Sequence, residues 1–421
     1  MTEHSGCPHL DGFDPLIQEQ VADPAEFMAK ARKEVPVFFL PDYNVWVVTR
    51  YEDVATVMAD TKTFSSANML RPPAVPEEFQ SRLPAGYPMT AAQIIQMDPP
   101  EHTPLRRVAQ RGYTPKVVAA RESELRVLAA KLLDDIFVNG EADIAQEYCY
   151  RIPIYMAAAM LGVDLGMVDQ LRQWTKDSDD LMTEGKSPDG VEAVNTRMVE
   201  YDVFVRDLIA DRRASPREDD LVTELVVHGE EEEAFDDDVL LGVVTNLLTG
   251  GTGTTGSTMT GTLHRMLRDR TQWEMLVEDP ELTEKAVEEG LRLANPIRGM
   301  IRVTTCDTEI AGVSIPAGSA IQVHQYSANR DEAAYEDGET FDLRRANSKH
   351  FGLGRGAHFC LGAVLARLEL RVGLETLVER IPDLALAAEP SPDDWTPSMY
   401  FSHLNHLAVT WSPDRAAVLA E

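Results

Sequence analysis

A glycine-rich segment that delivers a single cysteine to the start of a helix constrains this chain more than any other feature. The segment reads LGRGAHFCLG from Leu353 to Gly362, and the helix-forming run AVLARLEL follows from Ala363. Unpaired backbone N–H groups and the positive end of the helix dipole favour a thiolate at such a place. Glycines also let the backbone pass close to a flat ligand. The sequence therefore predicts a functional thiolate at Cys360.

The composition describes an ordinary folded protein with a large excess of acidic side chains. Hydrophobic residues make up 44% of the chain and charged residues 26%, both close to globular averages. With 70 acidic against 39 basic residues, the net charge of −31 would repel nucleic acids and anionic membranes. We therefore exclude DNA, RNA and membranes as main partners.

The cysteines and the N-terminus indicate a reducing compartment. The four cysteines, Cys7, Cys149, Cys306 and Cys360, are widely and unequally spaced, unlike those of a zinc site or a disulfide scaffold. The N-terminus lacks the apolar region of an export signal, and nowhere do the roughly 18 consecutive apolar residues that cross a bilayer occur. We expect a soluble, cytoplasmic protein.

Hydrophobic patterns place short strands on both sides of a long helical region. Alternating β-branched and aromatic residues predict a hairpin from Pro36 to Thr49, and helical periodicity dominates from about residue 115 to 295. Two further strands joined by tight turns are predicted over Thr308–Val313 and Ser314–Gly318. The aperiodic segment Ala67–Pro100, rich in Pro, Gly and Met, is either disordered or a binding loop, and we favour a mobile lid over substrate. No repeat or linker divides the chain.

The segment around Cys360 resembles the cysteine-ligand loop of the cytochrome P450 superfamily, above all its soluble bacterial members, and the resemblance extends over most of the chain. It implies the P450 fold, with one mainly α domain over residues 1–421, a small β region, and haem b between an oxygen-binding helix and this loop. Cys360 is then the thiolate ligand of the iron, and its electron donation favours O–O cleavage. The family usually has Phe seven residues before the cysteine, whereas this chain has Leu353, with Phe351 two residues earlier. We expect this departure to alter packing over the sulfur.

Glu289 and Arg292 lie three residues apart and can pair on one helix face. They resemble the family's Glu-x-x-Arg helix, whose ion pair is completed by an arginine from a later loop, and Arg345 stands at the matching place. The resemblance implies a structural role for all three, which would brace the loop on the haem side.

Four basic residues match positions at which the family binds the two haem propionates. Propionates need buried donors, usually Arg or His. His102 and Arg106 resemble the family's His-x-x-x-Arg helix, Arg302 lies at the expected distance after the Asn-Pro pair at 295–296, and His358 precedes the cysteine by two. Each alone is compatible with a surface charge, but their joint placement implies propionate binding.

The apolar helix Val239–Leu248 runs into the segment TGGTGTT and resembles the family's oxygen-binding helix. Gly250 and Gly251 would open a groove beside the iron, with Gly250 against the cofactor and Gly251 against the substrate. Thr254 stands at the position of the alcohol that helps to protonate bound oxygen. The alternative is that these threonines and glycines only kink a core helix.

Gly253 departs from the family, which usually places Asp or Glu immediately before that threonine. Proton delivery by a positioned acid is worth about 10²- to 10⁴-fold in rate. We hypothesise that water held by Thr252, Thr254 and Thr255, or a polar group of the substrate, carries the proton instead.

Other classes of protein compete with this interpretation. Gly251–Gly256 matches G-x-G-x-x-G, the fingerprint of an NAD-dependent dehydrogenase, but a dinucleotide site also needs a preceding strand and an acid about 20 residues further on. The run before Gly251 is helix-like, and Asp269 is better placed on a solvated helix face. A non-catalytic haem sensor, which would show no turnover, and a peroxide-driven enzyme are further alternatives.

The resemblance implies a monooxygenase reaction with external electron donors. O₂, two electrons and two protons would yield one oxygen atom inserted into a C–H or π-bond and one molecule of water. The chain ends soon after the cysteine-loop helix and contains no flavin or iron–sulfur motif, so NAD(P)H would act through a separate ferredoxin and ferredoxin reductase. A monomer is expected. A basic patch for an acidic ferredoxin is predicted from Arg106, Arg107, Arg111, Arg344, Lys349, Arg355 and Arg367.

By family position, the substrate pocket is mainly apolar and suits a small or medium apolar molecule. It is predicted from segments 89–95, 247–251, 297–301 and 399–401, with Ile95, Leu247, Gly251, Ile297, Met300 and Phe401 in its wall. Arg298 is unusual in such a wall. It would bind a carboxylate or oxygenated group of the substrate, or else belong to the surface or the propionates.

Overall fold

The computed structural model describes residues 7–67, 69, 94–181, 190–231, 236–346, 349–396 and 398–413. Its α-helices are α1 (Gln18–Ala22), α2 (Ala25–Glu34), α3 (Tyr51–Ala59), α4 (His102–Gln110), α5 (Pro115–Ala119), α6 (Glu122–Phe137), α7 (Arg151–Met160), α8 (Val168–Leu181), α9 (Val191–Ala214), α10 (Leu221–Glu231), α11 (Asp237–Thr249), α12 (Thr252–Arg268), α13 (Arg270–Glu278), α14 (Thr283–Leu293), α15 (Gln325–Ala328) and α16 (Ala363–Arg380). Its strands are β1 (Val37–Leu40), β2 (Val45–Val48), β3 (Phe64–Ser65), β4 (Glu141–Asp143), β5 (Met300–Thr304), β6 (Thr308–Ile310), β7 (Val313–Ile315), β8 (Ala320–Val323), β9 (Ala385–Leu386) and β10 (Ala408–Thr410). The fold is mainly α with small sheets.

The largest sheet ties the N-terminal hairpin to strands that follow the helical region. Its order is β1-β2-β8-β5-β3, with β2 and β8 parallel and the other neighbours antiparallel. The turn between β1 and β2 uses Asn44 in the left-handed region, at φ 49°, which Asn tolerates better than most residues. The predicted hairpin over Pro36–Thr49 is therefore confirmed.

The second β-rich region is confirmed, but its strand boundaries differ from the prediction. β6 ends at Ile310 and β7 begins at Val313, so Ala311 and Gly312 form the two-residue turn between them. Both have positive φ, at 51° and 79°, as the twist of such a turn requires. Residues 316–318 form a turn instead of continuing the strand.

The helical region predicted from about residue 115 to 295 is also confirmed, and α12 lies at its centre. This helix packs against α7, α14 and α16 and is buried along most of its length. The approach of α14 is close, because a Cβ atom at Gly290 would lie 2.2 Å from Thr262 Oγ1. Glycine at this position lets the two helices meet, and this fixes Glu289 and Arg292 relative to α12.

Most of the predicted lid, from residue 70 to 93, lies outside the described residues. Of the predicted pocket segment 89–95, the structure describes Ile94 and Ile95, at the start of a single 3₁₀ turn, Ile94–Gln96. Among the described helices, none combines the length and the apolar character needed to cross a bilayer.

Candidate functional site

Two backbone hydrogen bonds fix the loop that carries Cys360 to the start of α16. Cys360 N–H donates to the Leu353 carbonyl at 2.8 Å, and Gly354 N–H donates to the Phe351 carbonyl at 2.9 Å. Gly354 and Gly356 both have positive φ, and a Cβ atom at Gly356 would lie 2.7 Å from the Met58 carbonyl oxygen of α3. The glycines are therefore needed for the turn and for its close packing. They leave Cys360 half-buried, two residues before the N-cap of α16.

Burial and the groups around Cys360 act in opposite directions on the pKa of its thiol. Burial raises the pKa of the Cys360 thiol, while the Gly362 amide and the charges of Arg106 and Arg367 act to lower it. The net direction is upward, so the helix N-terminus alone does not provide the thiolate that we expected from the sequence. A coordinated metal ion removes the proton from a thiol outright.

Leu353 and Phe351 lie in different parts of the core. Leu353 packs in the main helical core, whereas Phe351 belongs to the cluster around the large sheet and contacts the Tyr51 ring in a tilted arrangement, with ring centroids 4.6 Å apart. Phe351 therefore does not take over the position of the missing phenylalanine. Leu353 itself occupies that position.

Four basic side chains from three parts of the chain converge beside this loop. His102 of α4 and His358 of the cysteine loop have ring centroids 4.4 Å apart. Arg106, one turn after His102, donates to the carbonyl of Phe359 and so ties α4 to the loop. Arg302 of β5 is buried. The positive charges of Arg302 and Arg106 are close enough to His358 to lower its pKa.

Burial disfavours the positive charge of each of the four groups, and the neighbouring basic residues add to this effect at the two histidines. Burial, followed by the charges of Arg302, His102 and Arg106, lowers the pKa of His358 to about 3. Burial lowers the pKa of Arg302 to about 10, with Asp98 acting in the opposite direction. His358 Nε2 is buried and makes no hydrogen bond to any described residue.

These observations fit a bound anion of two charges. A buried donor without a partner and arginines whose charge is disfavoured by burial are costly unless an acceptor joins them. The two propionates of haem are such acceptors, and the cysteine beside them is the ligand that haem iron takes in thiolate proteins. The residues present therefore fit haem.

Glu289, Arg292 and Arg345 form one buried network, as the resemblance implied. The Arg292 guanidinium donates two hydrogen bonds, of 2.8 and 2.6 Å, to the Glu289 carboxylate. Arg345 Nε donates to Glu289 Oε1 at 3.0 Å. Burial acts to raise the pKa of Glu289, but the hydrogen bonds and charges of the two arginines lower it overall. Arg292 also donates to the carbonyls of Asn329 and Gly338, so the network fixes the segment that precedes the cysteine loop.

A second ion pair, which sequence reasoning missed, lies one residue before this network. Glu288 accepts from Arg367 Nε of α16 at 2.6 Å, and His350 Nε2 lies 3.2 Å from its other oxygen. Burial acts to raise the pKa of Glu288, but these partners lower it to about 2. Arg367 is therefore paired within the fold, and its place in the predicted ferredoxin patch stays a prediction. The adjacent acids at 288 and 289 were the only available signal.

The predicted oxygen-binding helix is two helices with a break at Gly250 and Gly251. α11 ends at Thr249 and α12 begins at Thr252. Thr254 Oγ1 donates to the Gly250 carbonyl at 2.9 Å, across the break. A Cβ atom at Gly251 would meet nothing within 4 Å, so open space lies beside it.

The other two predicted catalytic threonines are buried in the first turn of α12. Thr252 Oγ1 donates to the Thr249 carbonyl at 3.1 Å and lies 3.2 Å from Thr175 Oγ1 of α8. Thr255 lies on the buried side of the same turn.

The dinucleotide-binding alternative is excluded by this geometry. The G-x-G-x-x-G segment lies at the start of α12 and follows α11, not a strand. Asp269 is the N-cap of α13, where its carboxylate accepts from Thr271 N–H at 3.2 Å, so it is a capping residue instead of a point on a solvated helix face.

Gly253 faces two residues that the sequence did not single out. A Cβ atom at position 253 would lie 3.0 Å from Asp179 Oδ2 of α8 and 3.6 Å from His403 Cε1. A carboxylate from another helix therefore occupies the space where a side chain at 253 would begin.

The apolar residues predicted for the pocket wall are half-buried. Ile297 and Phe401 pair in an antiparallel bridge, and Ile95, Met300 and Phe401 pack against one apolar cluster beside the large sheet. Leu247 packs against the main helical core, and Gly251 is exposed. The structure thus brings Ile297 and Phe401 together directly.

Arg298 is buried among residues of the chain itself. Its guanidinium donates to Ser402 Oγ at 2.8 Å and lies 4.1 Å from the centre of the Tyr326 ring. Burial lowers its pKa to about 10. These contacts account for a buried arginine without a substrate carboxylate.

A mainly α fold, a cysteine loop at a helix N-terminus and a buried cationic cluster beside it define a haem-thiolate protein. A family model described as Cytochrome P450 matches residues 192–382. The chain is 34% identical to the steroid C26-monooxygenase of Mycobacterium tuberculosis, over 91% of this chain and 98% of that protein. It is also 34% identical to erythromycin C-12 hydroxylase of Saccharopolyspora erythraea, over 86% of this chain and 88% of that protein.

Solved structures agree with these relatives. An intact type IV self-sufficient cytochrome P450 monooxygenase matches with a TM-score of 0.93 at 29% identity, over 100% of this chain and 56% of that chain. The chain belongs to the cytochrome P450 family. Family membership implies haem with a cysteine thiolate ligand, O₂ as a reactant and monooxygenase activity.

Proposed function

We propose that this P450, as one domain over residues 1–421, inserts one atom of O₂ into a small or medium apolar molecule, with Cys360 as the iron ligand. The observation that carries the proposal is the cluster of four basic side chains beside the cysteine loop, His102, Arg106, Arg302 and His358. A lone thiolate cannot hold iron by itself, but a porphyrin anchored through its propionates brings iron to it. Bound haem supplies the redox chemistry that activates dioxygen.

The chain's own residues would position the reactants and move protons. Gly251 leaves space at the break between α11 and α12 for dioxygen and substrate, whereas Gly250 packs closely, since a Cβ atom there would lie 2.8 Å from the Asn246 carbonyl oxygen. The hydroxyls of Thr252 and Thr254 each donate to a backbone carbonyl, so their lone pairs remain available to accept from water. We propose that these two residues and Thr255 order water on this side.

The substrate class follows from the wall of the pocket. Half-buried Ile95, Leu247, Ile297, Met300 and Phe401 offer apolar surface, and burying it against an apolar ligand is favourable. The names of the two relatives place oxygen insertion at carbon atoms C26 and C-12. This supports oxidation of a C–H bond as the reaction.

The electron donors proposed are NAD(P)H, a ferredoxin reductase and an acidic ferredoxin, which would dock on the cysteine-loop face. Phe359 of the cysteine loop is 42% exposed, and exposed Arg355 lies on the same loop, while exposed Arg107 and Arg111 lie on the adjoining α4 and the residues directly after it. Exposed apolar and basic side chains near the cysteine suit a transient complex with an acidic protein. We propose a cytoplasmic monomer.

Turnover with oxygen-18 gas tests the proposed function. The purified protein, with ferredoxin, reductase and NADPH, is screened against apolar compounds that shift its Soret band, and products are analysed by mass spectrometry. We expect one labelled oxygen atom per product molecule. Spectral binding without product under every reductant would instead indicate a haem sensor, and full activity with hydrogen peroxide alone would remove the need for redox partners.

A further inference from the structure

The carboxyl group missing from position 253 is replaced in space by Asp179. A Cβ atom at Gly253 would lie 3.0 Å from Asp179 Oδ2, a distance tighter than almost all real Cβ contacts. The carboxylate therefore sits against α12 one residue before Thr254. That is the place in sequence where the family usually carries its acid. Glycine at 253 is what allows a side chain from α8 to reach it.

Polar side chains lie close to Asp179 and to the predicted apolar wall. His403 Nε2 lies 3.7 Å from Asp179 Oδ2, which is too long for a direct hydrogen bond. His403 is only 3% exposed, yet neither ring nitrogen makes a hydrogen bond to any described residue. Buried polar atoms in this situation usually hold ordered water. The His403 ring stacks on Phe401, with centroids 5.5 Å apart, so His403 lies directly beside a predicted substrate contact.

Burial and the charged groups around Asp179 place the pKa of its carboxyl near neutral pH. Lys176 and Asp180 lie on α8, His403 lies on the C-terminal loop, and Tyr150 approaches from the turn before α7. Burial and the neighbouring Asp180 raise the pKa of Asp179 to about 7, against a smaller opposing effect of Lys176. Burial lowers the pKa of His403 to about 4, so its ring is neutral near pH 7. A carboxyl in this state can both release and regain a proton at neutral pH.

We propose that Asp179 is the proton donor of this enzyme and replaces the acid that the family carries on its oxygen-binding helix. Thr252 and Thr175, whose hydroxyls lie 3.2 Å apart, join α12 to α8 one turn away and hold the two helices in register. The inference rests on the proposed monooxygenase function. His403 acts as a positioning residue that holds water beside the carboxyl.

Asp179 would supply the protons that each turnover consumes. One turnover consumes O₂, a substrate C–H bond, two electrons from reduced ferredoxin and two protons, and it yields one C–O–H group and one water. In each delivery, the O–H bond of the Asp179 carboxyl breaks and the proton passes to water beside Gly253 and Thr254. The electron pair stays on the carboxylate. Solvent then returns a proton, because 33% of the Asp179 side chain is accessible.

The first test removes the carboxyl group from position 179 and restores one at position 253. Asp179→Asn keeps the shape and removes the acid, and we expect product formed per NADPH to fall about tenfold or more, with a matching rise in hydrogen peroxide. The double variant Asp179→Ala, Gly253→Asp places the carboxyl where the family has it, and we expect it to recover most of the lost coupling. Gly253→Asp alone crowds two carboxyls and should not improve on the wild type. Asp169→Asn, 83% exposed on the same helix, is the matched control and should leave coupling unchanged.

The second test does not depend on turnover. Infrared spectra of the oxidised protein, without substrate or electron donor, are recorded across pH 5 to 9, a window about two pH units either side of neutrality. We expect a protonated-carboxyl band that titrates near pH 7 in the wild type and in Asp169→Asn and is missing in Asp179→Asn. The carbon monoxide spectrum of each variant verifies that it is folded and holds haem.

The outcomes separate the two proposals. Absence of product from wild-type protein under all conditions contradicts the monooxygenase proposal itself. Fully coupled Asp179→Asn, or persistence in that variant of the band that titrates near pH 7, overturns the role of Asp179; a band from buried Glu369 is expected in every variant. An Asp179→Asn variant that binds substrate poorly but couples normally at saturation would make Asp179 a substrate anchor, which also overturns the proposal.

Discussion

Arg367, seven residues after Cys360, donates from Nε to the Glu288 carboxylate of α14 at 2.6 Å. Because His350 approaches the same carboxylate, this acid joins the helix before the β region, the approach to the cysteine loop and the helix after it. The ion pair therefore fixes the direction in which the loop presents the cysteine. Loss of this ion pair should lower the stability of the protein more than it lowers catalytic activity.

Glu288→Gln should destabilise the protein by about 1–2 kcal/mol at pH 7, after allowance for the partial exposure of both partners. The pKa of Glu288 is lowered to about 2, so its contribution is complete above the ordinary value of 4.5 and is lost as pH falls from there towards 2. Urea unfolding at pH 7 and near pH 3 measures this. The exposed Glu284→Gln on the same helix is the control, and an equal loss at both pH values would contradict the account.

Arg302→Ala should weaken haem retention by about 1.5–3 kcal/mol, because a charged donor to a propionate is removed from a buried site. The rate of haem transfer to apomyoglobin measures the loss, which corresponds to about tenfold or more in rate if the transition state for haem loss has already lost this contact. In haem-free protein, the same substitution should raise the pKa of His358, since the Arg302 charge helps to lower it. Arg344→Ala, on the exposed surface, should change neither quantity, and unaltered haem transfer from Arg302→Ala would remove Arg302 from the propionate site.

Asp179→Asn should increase stability above neutral pH. A carboxyl whose pKa is raised from 3.8 to about 7 stabilises the fold fully below pH 3.8, and this contribution is lost as pH rises through 7. Asparagine does not ionise, so the variant should gain about 1–2 kcal/mol over wild type at pH 8, discounted for the accessible part of the side chain. The gain should disappear near pH 4. Urea midpoints across this range test it, and a variant less stable than wild type at pH 8 would mean that the carboxylate is held by favourable contacts.

Charge reversal on the cysteine-loop face should slow electron entry. Arg107→Glu and Arg355→Glu should each lower the rate of reduction by an acidic ferredoxin severalfold at low salt and flatten its salt dependence. Stopped-flow reduction under carbon monoxide measures this rate. Arg268→Glu, an exposed arginine at the C-terminal end of α12, is the control. An unchanged salt dependence in both variants would place ferredoxin docking elsewhere.

Local sequence patterns were sufficient for the features that lie within short contiguous segments. The cysteine loop and the Glu289–Arg292 pair each depend on residues within a few positions of one another, whereas the division of the predicted oxygen-binding helix at Gly250 and Gly251 was not predicted. The turn and helix chemistry of the loop and the pair is therefore readable from the sequence. The hairpin β1–β2 belongs to the same class, since its turn and strands are adjacent.

Contacts between distant segments were not readable in this way. Asp179 meets Gly253 only because α8 crosses α12, and no spacing in the sequence links the two residues. Glu288 was hidden beside the expected Glu289, and its partner Arg367 looked like surface charge. The absence of an acid at position 253 was visible in the sequence, but its replacement needed tertiary structure.

The most direct test of the central claim is the carbon monoxide spectrum of the reduced protein, compared among wild type, Cys360→Ala and Cys306→Ala. Thiolate ligation by Cys360 predicts a strongly red-shifted Soret band in wild type and in Cys306→Ala, because Cys306 is an exposed cysteine outside the site. The band should be missing from Cys360→Ala. A folded Cys360→Ala protein that kept the red-shifted band, or a folded wild type that bound no haem, would contradict the account.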